Sequence, residues 1–520
     1  MVSLALSPGR AQAPVPPLAA CFRHGGGERV ALSEGPSGGL HVWSEVGGGA
    51  VARLRFDGDH PTCRYSWREL RVGRLRNVYP VAEFSTSGSW SQLQTSGSGL
   101  SGSYTGNRCL STSSQGAEIT VALDRAEVYD VWVHYTGRLA GAYCAVLIDG
   151  AETLVDALGD PGIGVRAFST YSETDLSRRR TMRVASGLSG AHTLTLRHAG
   201  AAQPGGSTLM IEAVSITGRL GDPRVLPPLW QPGTAYVMGD EVLWKGTYYA
   251  ARATGVSGAV PPSHLSGIAS DGTLDWRADY ATTYADLAVQ DYASEREYAV
   301  RLDLDGGREI GGQTHGGEVL RARAVMLDGT PVGALASGMV VGTDLRIDET
   351  CEWQDGAGAP IAECRLSRRI TAGLIGHEVS LVTGTVPLEV EWLYLAMQPG
   401  LHRDGETGGT VVDRWLLDGG EVVDPAGHAG QAGGEIARAG LRRVGAEGDA
   451  LRLGLDLATP PGGTPVAVTA RLFPNVEGAA TGGGEAWPVK AYLAATPPAG
   501  RFEAGAHLRW VTRHFLAAGQ

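Results

Sequence analysis

The sequence predicts an all-β, multidomain chain: jelly-roll or β-sandwich domains plus one small, aromatic-rich β module. Three observations carry the prediction. Short alternating apolar and polar runs, bounded by Gly, Asp, Ser and Pro, recur from end to end, which is the pattern of strands that bury one face. Helix signals are scarce, and the one segment with mild helical character, Gly434-Glu-Ile-Ala-Arg-Ala-Gly440, is too short to change the class. Glycine, at 76 of 520 residues, is about twice its usual frequency, and the length suits three or four domains.

Taken in order, residues 1–82 mix short strands with loops. Leu40-His-Val-Trp43 is strand-like, Ala50 to Phe56 runs into an Asp-Gly turn, and an Arg-rich stretch follows Tyr65-Ser-Trp67. This region is expected to dock or assemble the protein. Residues 83–220 open with a Ser/Gly-rich stretch after Trp90. Strands are then predicted over 117–123, 128–135, 144–148, 192–198 and 209–218. Asp222-Pro-Arg-Val-Leu-Pro-Pro-Leu229 reads as a linker into a module over 221–284. Residues 285–520 return to strand patterns, around 298–303, 379–383, 388–397, 411–417, 466–473 and 507–515. They suit one large two-sheet sandwich or two smaller ones.

Composition excludes several functions. Acidic residues outnumber basic ones, 55 to 44, giving a net charge of −11, which argues against a nucleic-acid binder and a polybasic membrane contact. No apolar run is long enough to span a bilayer, so membrane insertion is not expected. The N-terminus lacks the basic start and apolar length of a signal peptide, so synthesis in the cytoplasm is expected. Of Cys21, Cys63, Cys109, Cys144, Cys351 and Cys364, none forms a C-x-x-C pair and no Cys/His cluster has zinc spacing. No metal or cofactor is expected. Buried free thiols are the default, although Cys351 and Cys364 flank a turn-like segment and are candidates to face each other across a hairpin.

Catalytic motifs are equally thin. Gly35-Pro-Ser37-Gly-Gly39 and Gly97-Ser-Gly99-Leu-Ser-Gly102 spell the Gly-x-Ser-x-Gly and dinucleotide strings, but neither opens a predicted helix as those motifs require, and there is no P-loop. Asp303-Leu-Asp305-Gly matches only the first half of a calcium loop and reads better as a hairpin turn. The one polar cluster with a catalytic look is Gly311-Gly-Gln-Thr-His315-Gly-Gly-Glu318, which with His377 and His402 is a candidate lyase or hydrolase site. Loop glycines beside an exposed His account for it equally well.

The most distinctive segment runs from Trp230 to Trp276. Trp230, Tyr236, Trp244, Tyr248, Tyr249 and Trp276 fall within it, in a chain that is 7% aromatic. So short a segment is not expected to bury all six rings in a core of its own. An exposed ring packs on the C–H face of a sugar while nearby acceptors take its hydroxyls. Asp240, Glu241 and Asp271 are the acceptors at hand.

The order Trp230, Tyr236, Gly239-Asp240-Glu-Val, Trp244-Lys-Gly-Thr-Tyr248-Tyr249 and a closing Trp276 resembles carbohydrate-binding module families 5 and 12. The tail Ser257-Gly-Ala-Val-Pro-Pro-Ser-His264 with Ser270-Asp-Gly-Thr-Leu-Asp-Trp276 looks like the version in tailed-phage fibres and spikes. The resemblance implies carbohydrate binding by Trp230, Tyr236, Asp240, Trp244, Tyr248, Tyr249 and Trp276, with Trp244 and Tyr249 favoured as the platform. Residues 83–220 resemble galactose-binding-like jelly rolls, through Val146-Leu-Ile-Asp149-Gly and His192-Thr-Leu-Thr-Leu196. Trp90, Tyr104 and Trp132 are the rings to watch there, Trp132 more as core.

Together these resemblances imply a receptor-binding spike or fibre of a tailed phage or phage-like gene transfer agent, carried on the particle surface. Its partners would be a bacterial surface polysaccharide, capsid or tail proteins, and copies of itself, a trimer being usual among the proteins it resembles. The expectation is a binder without enzymatic activity. The alternatives are a spike that also degrades the polysaccharide and a secreted multimodular chitin-binding protein.

Overall fold

The computed structural model describes residues 21, 27–35, 38–58, 64–94, 108–153, 166–174, 177–265, 267–278, 283–292, 301–304, 306–311, 315–333, 338–400, 414–418, 420–423, 436–447, 451–463, 465–473 and 489–518. The fold is all-β, assembled from antiparallel sheets. No helix among these residues is long and apolar enough to cross a membrane.

The first strands among the described residues form a meander: β1 (Val30–Glu34), β2 (Leu40–Gly47), β3 (Ala50–Asp57) and the 15-residue β4 (Ser66–Pro80). β4 then serves two neighbours. Its residues 76–80 pair with strand Leu209–Thr217, and its residues 69–75 pair with strand Ala285–Tyr292. Everything between 81 and 284 is therefore an excursion that leaves β4 and returns to it. The first part is a sandwich whose longest strands, Glu118–Gly137 and Ser177–Ala201, pair with each other. It has its own core of Val121, Val131, Val133, Leu194, Ile211 and their neighbours. The second part is the small aromatic module.

From Arg301 onward most of the described strands form one two-sheet sandwich, while Ala285–Tyr292 and Val340–Gly342 join the sheet of the N-terminal meander, on β4 and β1. A 7-stranded sheet containing Leu388–Gly400 faces a 10-stranded sheet containing Glu318–Leu327, Leu345–Gln354, Pro360–Thr371, Leu374–Thr383 and His507–Ala518, adjacent in that order. The Trp510 indole, on the inner face, donates to the Leu395 carbonyl of the opposite sheet at 3.2 Å.

The N-terminal meander does not stand apart as the sequence suggested. Val30, Leu32, Val42, Leu54, Phe56 and Trp67 share one apolar core with Ile347, Trp353, Leu393 and Trp510. Ions fasten it further. The carboxylate of Glu318 accepts from the Arg64 backbone N–H at 3.1 Å and lies 3.3 Å from its guanidinium. Glu349 accepts from the Tyr65 N–H at 2.8 Å and pairs with the guanidinium of Arg368, all three residues buried. The sequence hid this because β2 is buried on both faces over seven of its eight residues, so no alternation marks which sheet it joins.

Cys351 and Cys364 stand directly opposite each other across their strand pair, as the spacing suggested, and remain thiols; burial pushes the Cys364 thiol up to about 12. Cys63 lies outside the described residues.

Candidate functional site

The aromatic module is built on strands Glu241–Trp244 and Thr247–Ala251. Lys245 and Gly246 join them, both with positive φ, 45° and 70°, which is the two-residue turn that matches strand twist. Alternation along these strands sends side chains to two faces, and both faces are covered. On one, Tyr249, Val242 and Ala251 close a mini-core with Trp230, Tyr236, Leu274 and Trp276. Tyr236 meets Trp276 edge-on at 5.0 Å and Trp230 meets Trp244 at 5.3 Å. On the other, Leu243 and Tyr248 pack against Trp43, Val51, Leu75 and Leu220 of the body, with Tyr248 edge-on to Trp43 at 6.2 Å.

The turn itself is wedged against β1 and β2. A Cβ at Gly246 would strike Ser33 Oγ and the His41 ring. His41 Nδ1 donates to the Lys245 carbonyl at 2.7 Å, Arg53 donates to the Gly246 carbonyl at 3.3 Å, and Lys245 pairs with Glu34 at 2.7 Å. Burial, with Arg53 and Arg55 nearby, holds the His41 imidazole neutral, well below its ordinary value.

These placements correct the expectation of a displayed aromatic platform. Trp230, Tyr236, Tyr248, Tyr249 and Trp276 are all buried, and Trp244 alone of the six is partly exposed. The reason is that the segment does not have to bury its rings alone: the body supplies the second wall. The acceptors are spent internally as well. Asp271 accepts from the indole N–H of both Trp230 and Trp276, each at 3.1 Å, and from the Gly258 N–H at 2.7 Å. Asp240 accepts from the Val237 N–H at 2.9 Å, and Glu241 from Thr283 at 3.3 Å. In the 83–220 sandwich Trp132 is core, with the Arg76 guanidinium 5.4 Å above its ring. Trp90 is held by its indole N–H on the Ser87 and Glu118 carbonyls, both at 3.1 Å, and Tyr104 lies outside the described residues.

The His/Glu cluster does not assemble either. His315 is engaged at both ring nitrogens, by Glu309 and, at 3.1 Å, by Arg301. Glu318 is buried beneath Trp353, whose indole donates to it at 2.9 Å. His377 is on the inner face of the large sheet, 5.1 Å from His514, and desolvation lowers both rings. His402 lies outside the described residues. Among the described residues no group of three or more His, Cys, Asp and Glu is placed to hold a metal ion.

Two concavities stand out among the described residues. One, of about 200 Å³, lies where the Gly47-Gly48-Gly49 turn meets the 83–220 sandwich. Its charges cancel across the seam: Arg219 pairs with Glu45 at 2.9 Å and with Glu127 at 3.0 Å. The other, of about 460 Å³, is an open trough on the solvent face of the 10-stranded sheet.

The trough follows from strict alternation on its strands. In Leu345–Gln354 the side chains of Leu345, Ile347, Glu349, Cys351 and Trp353 point inward, leaving Arg346, Asp348, Thr350, Glu352 and Gln354 outside. Strand register then sorts the outer side chains into rows that cross the sheet. Arg346 is opposite Arg369, then Gly376, then Arg513. Asp348 is opposite Ser367, then Glu378. Thr350 is opposite Arg365, then Ser380, then Arg509. Glu352 is opposite Glu363, then Val382, then His507. Successive rows are basic, acidic, basic and acidic, about 7 Å apart along the strands. Pairs lace the rows: Arg346 to Asp348 at 2.9 Å, Arg365 to Glu363 at 2.7 Å, Arg509 to Glu378, and His507 with Ser380 at 3.1 Å. Such an array offers hydroxyls, carboxylates and guanidinium groups at fixed spacing on a rigid floor. Sequence reasoning passed over it because alternation of this kind also describes any solvated sheet face; only the register brings the like charges into rows.

No protein-family model matches the chain, and no curated protein matches it. Among solved structures it overlaps a β-(1,4)-mannanase, GH26-CBM35, of Podospora anserina, at 14% identity, 30% of this chain, 31% of that one and a TM-score of 0.20. It overlaps the α-galactosidase from Lactobacillus brevis at 9% identity, 56% of this chain, 40% of that one and a TM-score of 0.26. It overlaps truncated AlyQ, with CBM32 and alginate lyase domains, at 11% identity, 86% of this chain, all of that one and a TM-score of 0.16. The chain spans about a third of the mannanase's length. Superpositions this loose carry no functional argument.

Proposed function

We propose that the protein is a glycan-binding adhesin that holds a bacterial surface polysaccharide in the trough of its large sheet. The observation that carries this reading is the trough itself: a shallow, open surface whose lining includes Thr350, Ser367, Ser380, Asp348, Glu378, Arg346, Arg365, Arg509 and His507. Small-molecule sites are enclosed and mostly apolar, whereas a hydroxyl-rich polymer needs an open surface dense in donors and acceptors. The resemblance of residues 230–276 to carbohydrate-binding modules supports the same ligand class, and their phage-like tail supports a spike or fibre on a phage-like particle. Binding without cleavage is the form proposed, because His315 and Glu318, the sequence's best candidates for catalysis, are both consumed by internal contacts.

One trough of exposed polar contacts binds weakly, on the order of millimolar, so copy number on a particle supplies the working affinity. A glycan array probed with the full chain tests the reading. Ser367→Trp, which fills the trough floor, is expected to abolish retention, and Trp244→Ala to leave it nearly intact. Retention of no glycan defeats the proposal. Labelled antibody against the chain is expected to decorate particles, and release of reducing ends or unsaturated uronates from bound polysaccharide would replace the binder with an enzyme.

A further inference from the structure

Resting on that reading, we infer that the trough selects an acidic polysaccharide, lying across the strands along the row Thr350, Arg365, Ser380 and Arg509. Three features of the site lead there.

The first is what the lining lacks. Among the described residues, no aromatic ring borders the trough apart from the His507 imidazole. Stacking on a sugar's C–H face therefore contributes little, and affinity has to come from hydrogen bonds and charge. Bonds in which one partner is ionised are about twice as strong as neutral ones. A ligand carrying carboxylates gains most from this surface.

The second is the row itself. Thr350, Arg365, Ser380 and Arg509 stand side by side on four adjacent strands with no carboxylate among them. The two guanidinium groups are about two-thirds exposed, at 67% and 65%. Their present partners, Glu363 and Glu378, belong to the acidic rows on either side. Exposed pairs of this kind contribute about 1 kcal/mol or less, so exchanging one for a bidentate contact to a ligand carboxylate costs little.

The third is direction and spacing. A polyanion running along the strands would cross acidic and basic rows in turn; one running across them stays on the basic row. Arg365 and Arg509 are separated by one intervening strand, so their backbones are about 9–10 Å apart. That is the span of a disaccharide, with the Ser380 hydroxyl between to meet the intervening sugar. The row thus fits a polymer bearing a carboxylate on every second residue.

The test uses the full chain with three soluble polymers: hyaluronate, with a carboxylate on alternate sugars; polygalacturonate, with one on every sugar; and dextran, with none. Affinity electrophoresis or calorimetry is expected to place hyaluronate at least about tenfold above dextran, with the preference shrinking as salt is raised. Arg365→Gln and Arg509→Gln are each expected to weaken hyaluronate about fivefold to tenfold and to leave dextran unchanged. Glu363→Gln and Glu378→Gln are expected to strengthen it about twofold to threefold, because each removes a competing carboxylate. That gain distinguishes recognition from a loss of folding, and unchanged melting of the arginine variants provides a second check. Dextran bound as tightly as hyaluronate, or an array whose retained glycans are all neutral, overturns the charge inference and leaves the adhesin reading standing. Arginine variants that melt normally and bind hyaluronate as the parent does also overturn it. Binding of none of the three polymers and of nothing on the array overturns the adhesin reading itself.

Discussion

The aromatic module and the large sheet's outer face are opposite solutions for exposing a surface. The module is rich in the residues that usually meet sugars, and it turns nearly all of them inward, toward Asp271 on one side and Trp43 on the other. The sheet face has, among the described residues, no aromatic residue in its trough apart from His507, and it presents row upon row of polar groups to solvent. The difference lies in how many layers cover each element. Both faces of the module's strands are covered, one by their own core and one by the body, so ring-rich composition becomes packing. Among the described residues the large sheet is covered on one face only, which leaves its alternate residues facing outward. Residue type nominates a binding surface; the layer count decides whether it is one.

The sharpest way to break the comparison is to attack what lies under the polar face. Glu349 is fully buried and answers the guanidinium of Arg368, which is equally buried and belongs to the neighbouring strand. Glu349→Ala leaves that cation without its partner, and an expected loss of about 3–5 kcal/mol follows. Chemical denaturation of the full chain should show it as a large drop in midpoint. A drop of less than about 1 kcal/mol would mean that the Glu349–Arg368 contact adds little to the apolar packing and the Arg64–Glu318 pair that hold the meander.

The equivalent attack on the module is Asp271→Ala. It strands two buried indole N–H groups and one backbone N–H, at about 1–3 kcal/mol each before relaxation, so a loss of about 4 kcal/mol is expected. Tryptophan fluorescence should report it directly, because Trp230 and Trp276 lose a charged neighbour. Gly246→Val is expected to cost less, about 2–3 kcal/mol: the residue needs a positive φ, and any Cβ meets Ser33 and His41. Its consequence is specific, since prising the turn from β1 and β2 exposes Tyr248 and Trp43. Partial proteolysis should then cut near residues 222–229 before it cuts the body.

Much of this was legible in the sequence. The runs at 379–383, 388–397 and 507–515 gave strands, and the facing of Cys351 and Cys364 followed from the turn between them. What stayed hidden depended on partners distant in the chain. The burial of Tyr248 requires Trp43, some 200 residues away, and the union of the meander with the large sandwich requires Arg64 to meet Glu318. The charged rows require strands from 345 to 518 in register. A single sequence carries the period of each strand but not the identity of its neighbour.

Acid should act on the inside of the large sheet while sparing the pattern outside it. His377 and His514 face each other on the inner side, with Trp67 and Gln398 against His514 and the charges of Arg368 and Arg64 felt at His377. Desolvation lowers both, His514 to about 4. The folded state therefore resists protonation that the unfolded chain accepts near pH 6.5. Stability is complete above that value and declines as pH falls toward 4, by up to about 1.4 kcal/mol per pH unit for each ring. Urea midpoints at pH 7.5, 5.5 and 4.5 should fall in sequence, and His514→Gln should flatten the slope. An unchanged slope in that variant would assign the acid sensitivity elsewhere.

The smallest expected effect discriminates best between the two regions. Trp244 is the one ring of the module that is partly exposed, and it rests edge-on against Trp230. If the module meets the glycan, Trp244→Ala should remove most of the binding while costing little stability. If the trough meets it, the same change should cost only the lost ring contact, about 1 kcal/mol, and leave glycan affinity within about twofold. Because the side chain lies at the margin of the mini-core, the variant should fold, and binding and melting can be read on one sample. Affinity lost with melting intact would return the sugar contact to the module and confine the trough to a solvated sheet face; affinity retained would leave the module the role of a packing element against the meander.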